Sequence, residues 1–91
     1  MQNFKDLFGS KEVWFEIKSD ERKKFLKWVK DLGCIWIDGE KIEPNKKVDF
    51  YHYSIDGEGR LGVIPIFAWI KSHKTHSVDR YIFSNFIEKH K

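Results

Sequence analysis

Three residue types are scarce in this sequence: its 91 residues include one cysteine, two prolines and three arginines. A single cysteine excludes an intrachain disulfide and a metal site built from four thiolates. No apolar run approaches the roughly 20 residues that cross a bilayer. The opening MQNFKDLFGSKEVWF lacks the uninterrupted apolar stretch of a signal peptide. We therefore expect a cytoplasmic protein that folds by packing alone and has no membrane partner.

The scarcity of arginine also bears on nucleic acid as a partner. The net charge is +3, from 17 basic and 14 acidic residues, and lysine outnumbers arginine 14 to 3. The planar fork of arginine suits phosphate and guanine best, and domains that make many phosphate contacts carry a larger positive excess. The composition therefore permits a nucleic-acid partner without indicating one.

Aromatic side chains, in contrast, are plentiful. They make up 16% of the chain and include four tryptophans, while 41% of the residues are hydrophobic and 34% are charged. Each large ring buries on the order of 150 to 250 Å², which helps a small core to offset the ordering of the chain. We expect one globular domain over residues 1–91.

Three glycines in the stretch IDGEGRLGVI (55–64) have the spacing of a dinucleotide-binding fingerprint. That fingerprint needs its third glycine at the start of a helix, whose amides face the pyrophosphate. Here the glycines lead into branched and aromatic residues that are typical of a strand. The pattern therefore predicts a hairpin turn at Asp56–Gly59 and no nucleotide cofactor.

Helical periodicity is clearest over residues 20–32, with Ser19 as the expected N-cap and Gly33 as the expected stop. One face of this helix is apolar, and a row of lysines lies on the other, which is typical of a solvated surface. A shorter apolar pattern followed by Gly9 predicts a second helix over residues 2–8.

Strand patterns occupy most of the remaining chain. They include EVWFEIK, residues 34–37 before the turn signal Asp38-Gly39, VDFYHYSI and the long run RLGVIPIFAWI. The polar arm after that turn, residues 40–43, fits either a strand or an extended loop. For the closing segment we favour a strand near residues 80–83 and then a short helical or frayed tail. The elements predict an α+β fold in which a mostly antiparallel sheet of four to five strands packs on one main helix, residues 20–32.

No pattern of catalytic or metal-ligating residues emerges. His73 and His76 are three residues apart, which is not the spacing of a zinc site on a helix or of a paired CxxC and HxxxH element. Cys34 with His52 as its base would form a nucleophilic pair, but the apolar neighbours of Cys34 predict burial, which makes a thiol inert. We predict no catalytic residues, no metal and no cofactor.

A binding surface is suggested by the aromatic residues of the strands. Alternation directs one set of side chains to the main helix: Val13, Phe15, Ile17 and Phe50. It directs the other set to an open face of the sheet: Trp14, Tyr51 and Tyr53. Such rings, with Lys46 and Lys47 nearby, are typical of a protein interface or of a base-stacking platform. The alternative is that a terminal segment covers this face and that the rings belong to the core.

The segment FLKWVKDLGCIWIDGEKI (25–42) resembles short proteins encoded by phages and prophages of Gram-positive bacteria. The shared pattern is a lysine-rich helix with a WV step, a glycine, a strand that contains tryptophan, and a GEK turn. The resemblance implies an accessory protein in the bacterial host cell, of the kind that binds a host macromolecule and blocks it, including restriction and CRISPR components.

Together these features favour a non-enzymatic protein that binds a host protein and inhibits a defence or DNA-processing machine. The alternative is a module that binds single-stranded nucleic acid through Trp14, Tyr51, Tyr53 and the lysines. A protein partner is favoured because the mild charge offers little of the electrostatic attraction that dominates nucleic-acid affinity.

Overall fold

The computed structural model describes residues 3–45, 50–75 and 78–89, with the backbone alone at 72–75. Four helices, five strands and one 3₁₀ turn follow one another in these residues. In chain order they are α1 (Phe4–Phe8), β1 (Val13–Glu16), the 3₁₀ turn (Ser19–Glu21), α2 (Arg22–Asp31), β2 (Ile35–Trp36), β3 (His52–Ile55), β4 (Arg60–Val63), α3 (Ile66–Thr75), β5 (Asp79–Ile82) and α4 (Phe83–Lys89).

The main helix lies where its periodicity predicts, although its start differs in detail. Ser19 lies inside the 3₁₀ turn, and the Glu21 carboxylate accepts a hydrogen bond of 3.2 Å from the backbone N–H of Lys18. The helix ends at Gly33, whose φ of +90° is the left-handed conformation that glycine adopts without strain. The helix predicted over residues 2–8 is also present, as α1.

The five strands form one mixed sheet with the order β2-β4-β3-β1-β5. The β1–β3 and β3–β4 pairs are antiparallel, whereas the β1–β5 and β2–β4 pairs are parallel. The prediction of a mostly antiparallel sheet is therefore wrong, and so is the prediction of one main helix. Strands that run in the same direction cannot be joined by a tight hairpin. The chain therefore crosses from β1 to β2 through α2 on one face of the sheet, and from β4 to β5 through α3 on the other.

The most consequential wrong prediction is that RLGVIPIFAWI forms one continuous strand, because the second part of this segment is the helix α3. The strand ends at Val63, and the Pro65 carbonyl accepts hydrogen bonds from the backbone N–H groups of Ala68 (3.0 Å) and Trp69 (3.1 Å). Proline cannot donate to a sheet ladder, but its fixed φ suits the first turn of a helix. The strand propensity of the run is therefore overridden beyond Pro65.

Two other strand predictions are confirmed in part. The segment 34–37 contributes only Ile35 and Trp36 to β2, and Glu40–Glu43 forms a loop rather than a second arm. The closing segment forms β5 and then α4, as favoured, with the strand beginning one residue earlier than expected.

The core between the sheet and α2 is built from aromatic rings that surround Phe15. Phe15 is fully buried, and the centroids of several neighbouring rings lie 5.3 to 6.5 Å from its own: Phe8, Phe25, Trp28, Tyr81, Phe83 and Phe86. These rings come from α1, α2, β5 and α4, so Phe15 links the middle of the sheet to three helices. Many of the aromatic side chains of the chain therefore pack in this core.

The predicted hairpin turn between β3 and β4 is confirmed. Gly59 has a φ of +80°, and a Cβ atom at this position would collide with the ring of Phe4. The Asp56 carboxylate accepts hydrogen bonds of 2.9 Å from the backbone N–H groups of Glu58 and Arg60, and one of 2.8 Å from the Arg60 guanidinium. Glycine and aspartate therefore shape this turn through backbone freedom and local hydrogen bonds.

These hydrogen bonds lower the pKa of Asp56. Partial burial alone would raise it, but the hydrogen bonds from the backbone of Arg60 and Glu58 and from the Arg60 side chain outweigh burial, so the pKa lies below its ordinary value of 3.8. A carboxyl group whose pKa is lower in the folded state stabilises the fold above its unfolded-state pKa. This contribution is lost as the pH falls through the lower folded-state pKa.

We expect Asp56→Asn to lower the free energy of unfolding by about 1 kcal/mol near neutral pH. The amide loses the ion pair with Arg60, whose side chain is 45% exposed, so water screens part of the effect. The difference between the variant and the wild type should shrink at an acidic pH below the lowered pKa of the Asp56 carboxyl group, where that group is protonated. Urea unfolding at neutral pH and at the acidic pH measures this difference in the free energy of unfolding. Glu58→Gln, which alters a more exposed partner of Arg60, is the control. An equal loss for Asp56→Asn at both pH values would contradict the expectation.

Candidate functional site

Trp14, the first residue of the predicted binding surface, lies on the predicted face but is covered. Its side chain points away from α2, yet it is only 9% exposed. The ring of Trp69 from α3 stacks on it with a centroid distance of 6.4 Å, and the Trp14 Nε1–H donates a hydrogen bond of 2.8 Å to the Glu12 carboxylate. The prediction that Trp14 is exposed is therefore wrong, because the segment expected to be a strand is a helix that covers this face.

Tyr53 was predicted on the open face, and this is wrong. It pairs directly with Phe15 across β1 and β3, so both side chains lie on the α2 face, and Tyr53 is fully buried. Its ring lies 5.1 Å from that of Phe25, and its hydroxyl donates a hydrogen bond of 2.8 Å to the Phe50 carbonyl. Phe50, which was expected to face α2, is exposed. The alternation in this strand was assigned one residue out of step, which exchanges the two faces.

Tyr51 is exposed as predicted, at 43%. It immediately precedes β3, and the Arg22 guanidinium carbon lies 5.8 Å from its ring centroid, within the range of a cation–π contact. The other two predicted residues, Lys46 and Lys47, lie outside the described residues. Of the three predicted rings, Tyr51 alone is thus available to another molecule.

An apolar groove lies beside Tyr51, where β3 begins and β4 ends. Its volume is about 450 Å³, and its lining consists of Phe50, Tyr51, His52, Val63, Ile64, Pro65 and Ile66. The backbone N–H of Ile64 donates a hydrogen bond of 2.9 Å to the His52 carbonyl, which joins the two sides of the groove. Among the residues that the structure describes, no lysine, arginine, aspartate or glutamate belongs to this lining.

The outer side of α3 continues this apolar region. Phe67 and Ile70 are each 64% exposed, and Ile66, which also lines the groove, is similarly exposed. We refer to the exposed side chains of the groove and α3 together as the apolar surface: Phe50, Tyr51, Val63, Ile66, Phe67 and Ile70. Scattered exposed apolar residues are ordinary, but a contiguous group that adjoins a groove is typical of an interaction site. The helix α3 was not predicted from the sequence, although Pro65 was an available signal that the strand ends there.

Trp69 anchors α3 to the sheet. Besides stacking on Trp14, its ring lies 4.9 Å from that of His52 and 4.8 Å from the Arg80 guanidinium carbon. An Arg80 Nη1–H also donates a hydrogen bond of 2.7 Å to the Trp69 carbonyl. The inner side of α3 is therefore held by stacking and a cation–π contact. Phe67 and Ile70, in contrast, remain turned to solvent.

His52 is the buried polar residue under α3. Its Nε2 atom lies 3.4 Å from a carboxylate oxygen of Glu16, although the geometry is not that of a hydrogen bond. Glu16 and His52 are opposite each other in the β1–β3 pair, which accounts for the proximity. The imidazole of His52 therefore lies on the face of the sheet that α3 covers, and it also lines the apolar groove.

The structure does not bring Cys34 and His52 into one site. Cys34 is buried in the core on the α2 side, whereas His52 packs against Trp69 on the opposite face. Burial, and to a lesser extent the charge of Asp56, raises the pKa of the Cys34 thiol to about 12. The fraction of reactive thiolate at neutral pH is therefore negligible.

The described part of the chain contains no group of three or more His, Cys, Asp or Glu side chains that could hold a metal ion. The side chains of His73 and His76, the pair considered for zinc, lie outside the described residues. Within the described ranges, no helix has the length and apolar character that crossing a bilayer requires.

The lysines of α2 form a separate, exposed surface. Lys23, Lys27 and Lys30 flank a shallow depression with Pro44 and Asn45, and the Lys27 ammonium group lies 3.3 Å from the Asp31 carboxylate. This row is on the helix that covers the other face of the sheet from α3, so it is separate from the apolar surface. Comparison with protein-family models, with curated proteins and with solved structures gives no match for this chain.

Proposed function

We propose that this protein is a non-enzymatic binding domain that docks onto another protein through the apolar surface. The observation that supports the proposal is the exposure of Phe67 and Ile70 on α3, directly beside an apolar groove. Interface centres are typically rich in aromatic and large aliphatic side chains and poor in charge. Phe67 and Ile70 expose most of their side chains in the described part of the structure, so they are available to contribute to binding.

The partner that we propose is a host protein, with this chain acting as a phage accessory protein. The support for this finer proposal is the resemblance of residues 25–42, which correspond to most of α2, β2 and the following turn. These residues resemble the scaffold of such proteins, whereas the apolar surface comes from residues 50–70. In this proposal the chain blocks a restriction, CRISPR or DNA-processing component of the host by covering one of its surfaces.

Binding of single-stranded nucleic acid is the weaker proposal. A stacking platform needs exposed rings beside cationic side chains. Trp14 and Tyr53 are buried, and the lysine row of α2 is separate from the groove. Of the three predicted rings, Tyr51 is exposed, and it lies beside the partly exposed Arg22.

The test of the proposed function compares the wild type with Phe67→Glu in capture experiments from a bacterial lysate, followed by quantitative mass spectrometry. We expect at least one protein to be enriched by the wild type and its recovery to fall about tenfold or more with Phe67→Glu. A charge at the centre of an apolar interface cannot be solvated in the complex, which accounts for the loss.

Ile37→Glu is the matched control, because Ile37 is 63% exposed but follows the edge strand β2 and does not belong to the apolar surface. It should retain the enriched protein. Equal recovery with both variants, or no specific enrichment by the wild type, would refute docking through the apolar surface. Tight binding of labelled single-stranded oligonucleotide that weakens steeply with salt would instead support the nucleic-acid proposal.

A further inference from the structure

The apolar surface combines a projecting part with a recessed part. Phe67 and Ile70 project from α3, while the recess is the groove lined by Phe50, Tyr51 and their neighbours. Ile66 belongs to both, since it lines the groove and lies one residue before Phe67. A two-fold interface uses the same patch on both copies, so a projection beside a recess allows each copy to insert its projection into the recess of the other.

The area of this surface is suited to a reversible dimer. Its six side chains are between 39% and 64% exposed. They offer on the order of 600 Å² in total, if a large ring has roughly 200 Å² of accessible area. Two copies would therefore bury about 1,200 Å², which is at the lower end of the range for specific interfaces. That area is too small for a permanent dimer and sufficient for one that depends on concentration.

The distribution of charge permits two copies to meet at this surface despite the net charge of +3 on each. Among the described residues, the groove lining contains no acidic or basic side chain apart from His52. The nearest cations of the apolar surface are Arg22, beside Tyr51, and the exposed Lys71, which follows Ile70 on α3, so any repulsion comes from the rim of the surface. The lysine row of α2 lies on the far face of the sheet, so it does not face its counterpart in such an arrangement. Screening at physiological salt further weakens repulsion over that separation, because the Debye length is about 8 Å.

We propose that a second copy of this chain occupies the apolar surface, with Phe67 of each copy entering the groove of the other about a two-fold axis. This inference rests on the proposed function, since it assigns an occupant to the same docking surface. The dimer keeps the apolar surface out of water until a target protein displaces the second copy. Binding of the target is then strongest at concentrations at which the chain is monomeric.

Sedimentation velocity over a range of about 1 to 500 µM protein tests the dimer, with an expected dissociation constant on the order of 10 µM. Phe67→Glu should sediment as a monomer throughout, which corresponds to roughly a thousandfold weakening or more. Ile37→Glu should sediment like the wild type. Circular dichroism of both variants establishes that they are folded. A wild type that is monomeric over the whole range, or equal weakening by both substitutions, would overturn the inference.

Capture at a wild-type concentration well below the dissociation constant separates this inference from the proposed function. A monomeric wild type that captures a host protein through Phe67 refutes the dimer and supports the proposed function. A dimer that depends on Phe67, with no protein captured at low concentration, supports the dimer and refutes the host partner. The third outcome is a dimer, together with capture of a host protein that weakens as the concentration of the wild-type chain rises. This outcome supports both the dimer and the proposed function.

Discussion

Phe15→Ala is expected to lower the free energy of unfolding by about 3 to 5 kcal/mol, which is the usual cost of deleting a buried aromatic ring. Phe15 is fully buried in β1, an interior strand of the sheet, where six rings from α1, α2, β5 and α4 surround it. These rings come from distant parts of the chain, so they have little freedom to collapse into the cavity together. A domain of this size has a total stability of roughly 5 to 14 kcal/mol, so much of it would be lost.

Urea unfolding followed by circular dichroism measures this change, and Phe67→Ala is the matched control. Both substitutions remove the same side chain, but Phe67 is 64% exposed. Its loss should change stability by less than about 0.5 kcal/mol. The comparison is best made at about 1 µM protein, where self-association contributes least. A loss below about 1 kcal/mol for Phe15→Ala would contradict the central position assigned to this ring.

Trp69→Ala is the second substitution with a large expected effect, and its effect is local. Trp69 connects α3 to Trp14, to His52 and to Arg80. Without its ring, α3 loses its main contacts with the sheet, because Phe67 and Ile70 on its outer side contact solvent. We expect local opening of residues 66–75 to become easier by about 2 kcal/mol, which corresponds to roughly thirtyfold faster amide exchange.

Hydrogen exchange with mass spectrometry resolves this effect by segment. Peptides from α3 should exchange faster in Trp69→Ala, while peptides from α2 and β1 should retain the exchange rates of the wild type. Trp69→Phe preserves an aromatic ring over Trp14, so it is expected to restore most of the protection of α3. Unchanged exchange in α3, or a uniform increase throughout the chain, would show that Trp69 does not act as a local anchor.

Local features of the fold were largely predictable from the sequence. The main helix follows from apolar side chains at helical spacing and a glycine stop at Gly33, and both depend on contacts within a few residues. Local information also distinguishes the hairpin turn at Asp56–Gly59 from a nucleotide-binding loop, because the residues after Gly59 favour a strand. The closing strand and helix were also predicted almost at their observed boundaries.

The candidate site was predictable only in part. Tyr51 was correctly placed on the surface, whereas Trp14 and Tyr53 are buried. Phe67 and Ile70 were missed because they lie in a run of branched and aromatic residues that favours a strand by composition. Pro65 was the signal against a continuous strand, but a proline inside an apolar run is compatible with a bulge, an edge strand or a new helix. Local pattern does not distinguish among these.

Local sequence patterns account for four features of this protein: a mildly basic composition, an abundance of aromatic side chains, the helix after Ser19 and the glycine turn. These depend on dihedral preferences and on spacing along the chain, which any short segment carries with it. Three other features depend on tertiary packing: the face of the sheet on which Tyr53 lies, the covering of Trp14 by α3, and the groove beside Tyr51. Those features arise from strand pairing and from the crossing of α3 over the sheet, and such long-range packing leaves no periodicity in the sequence.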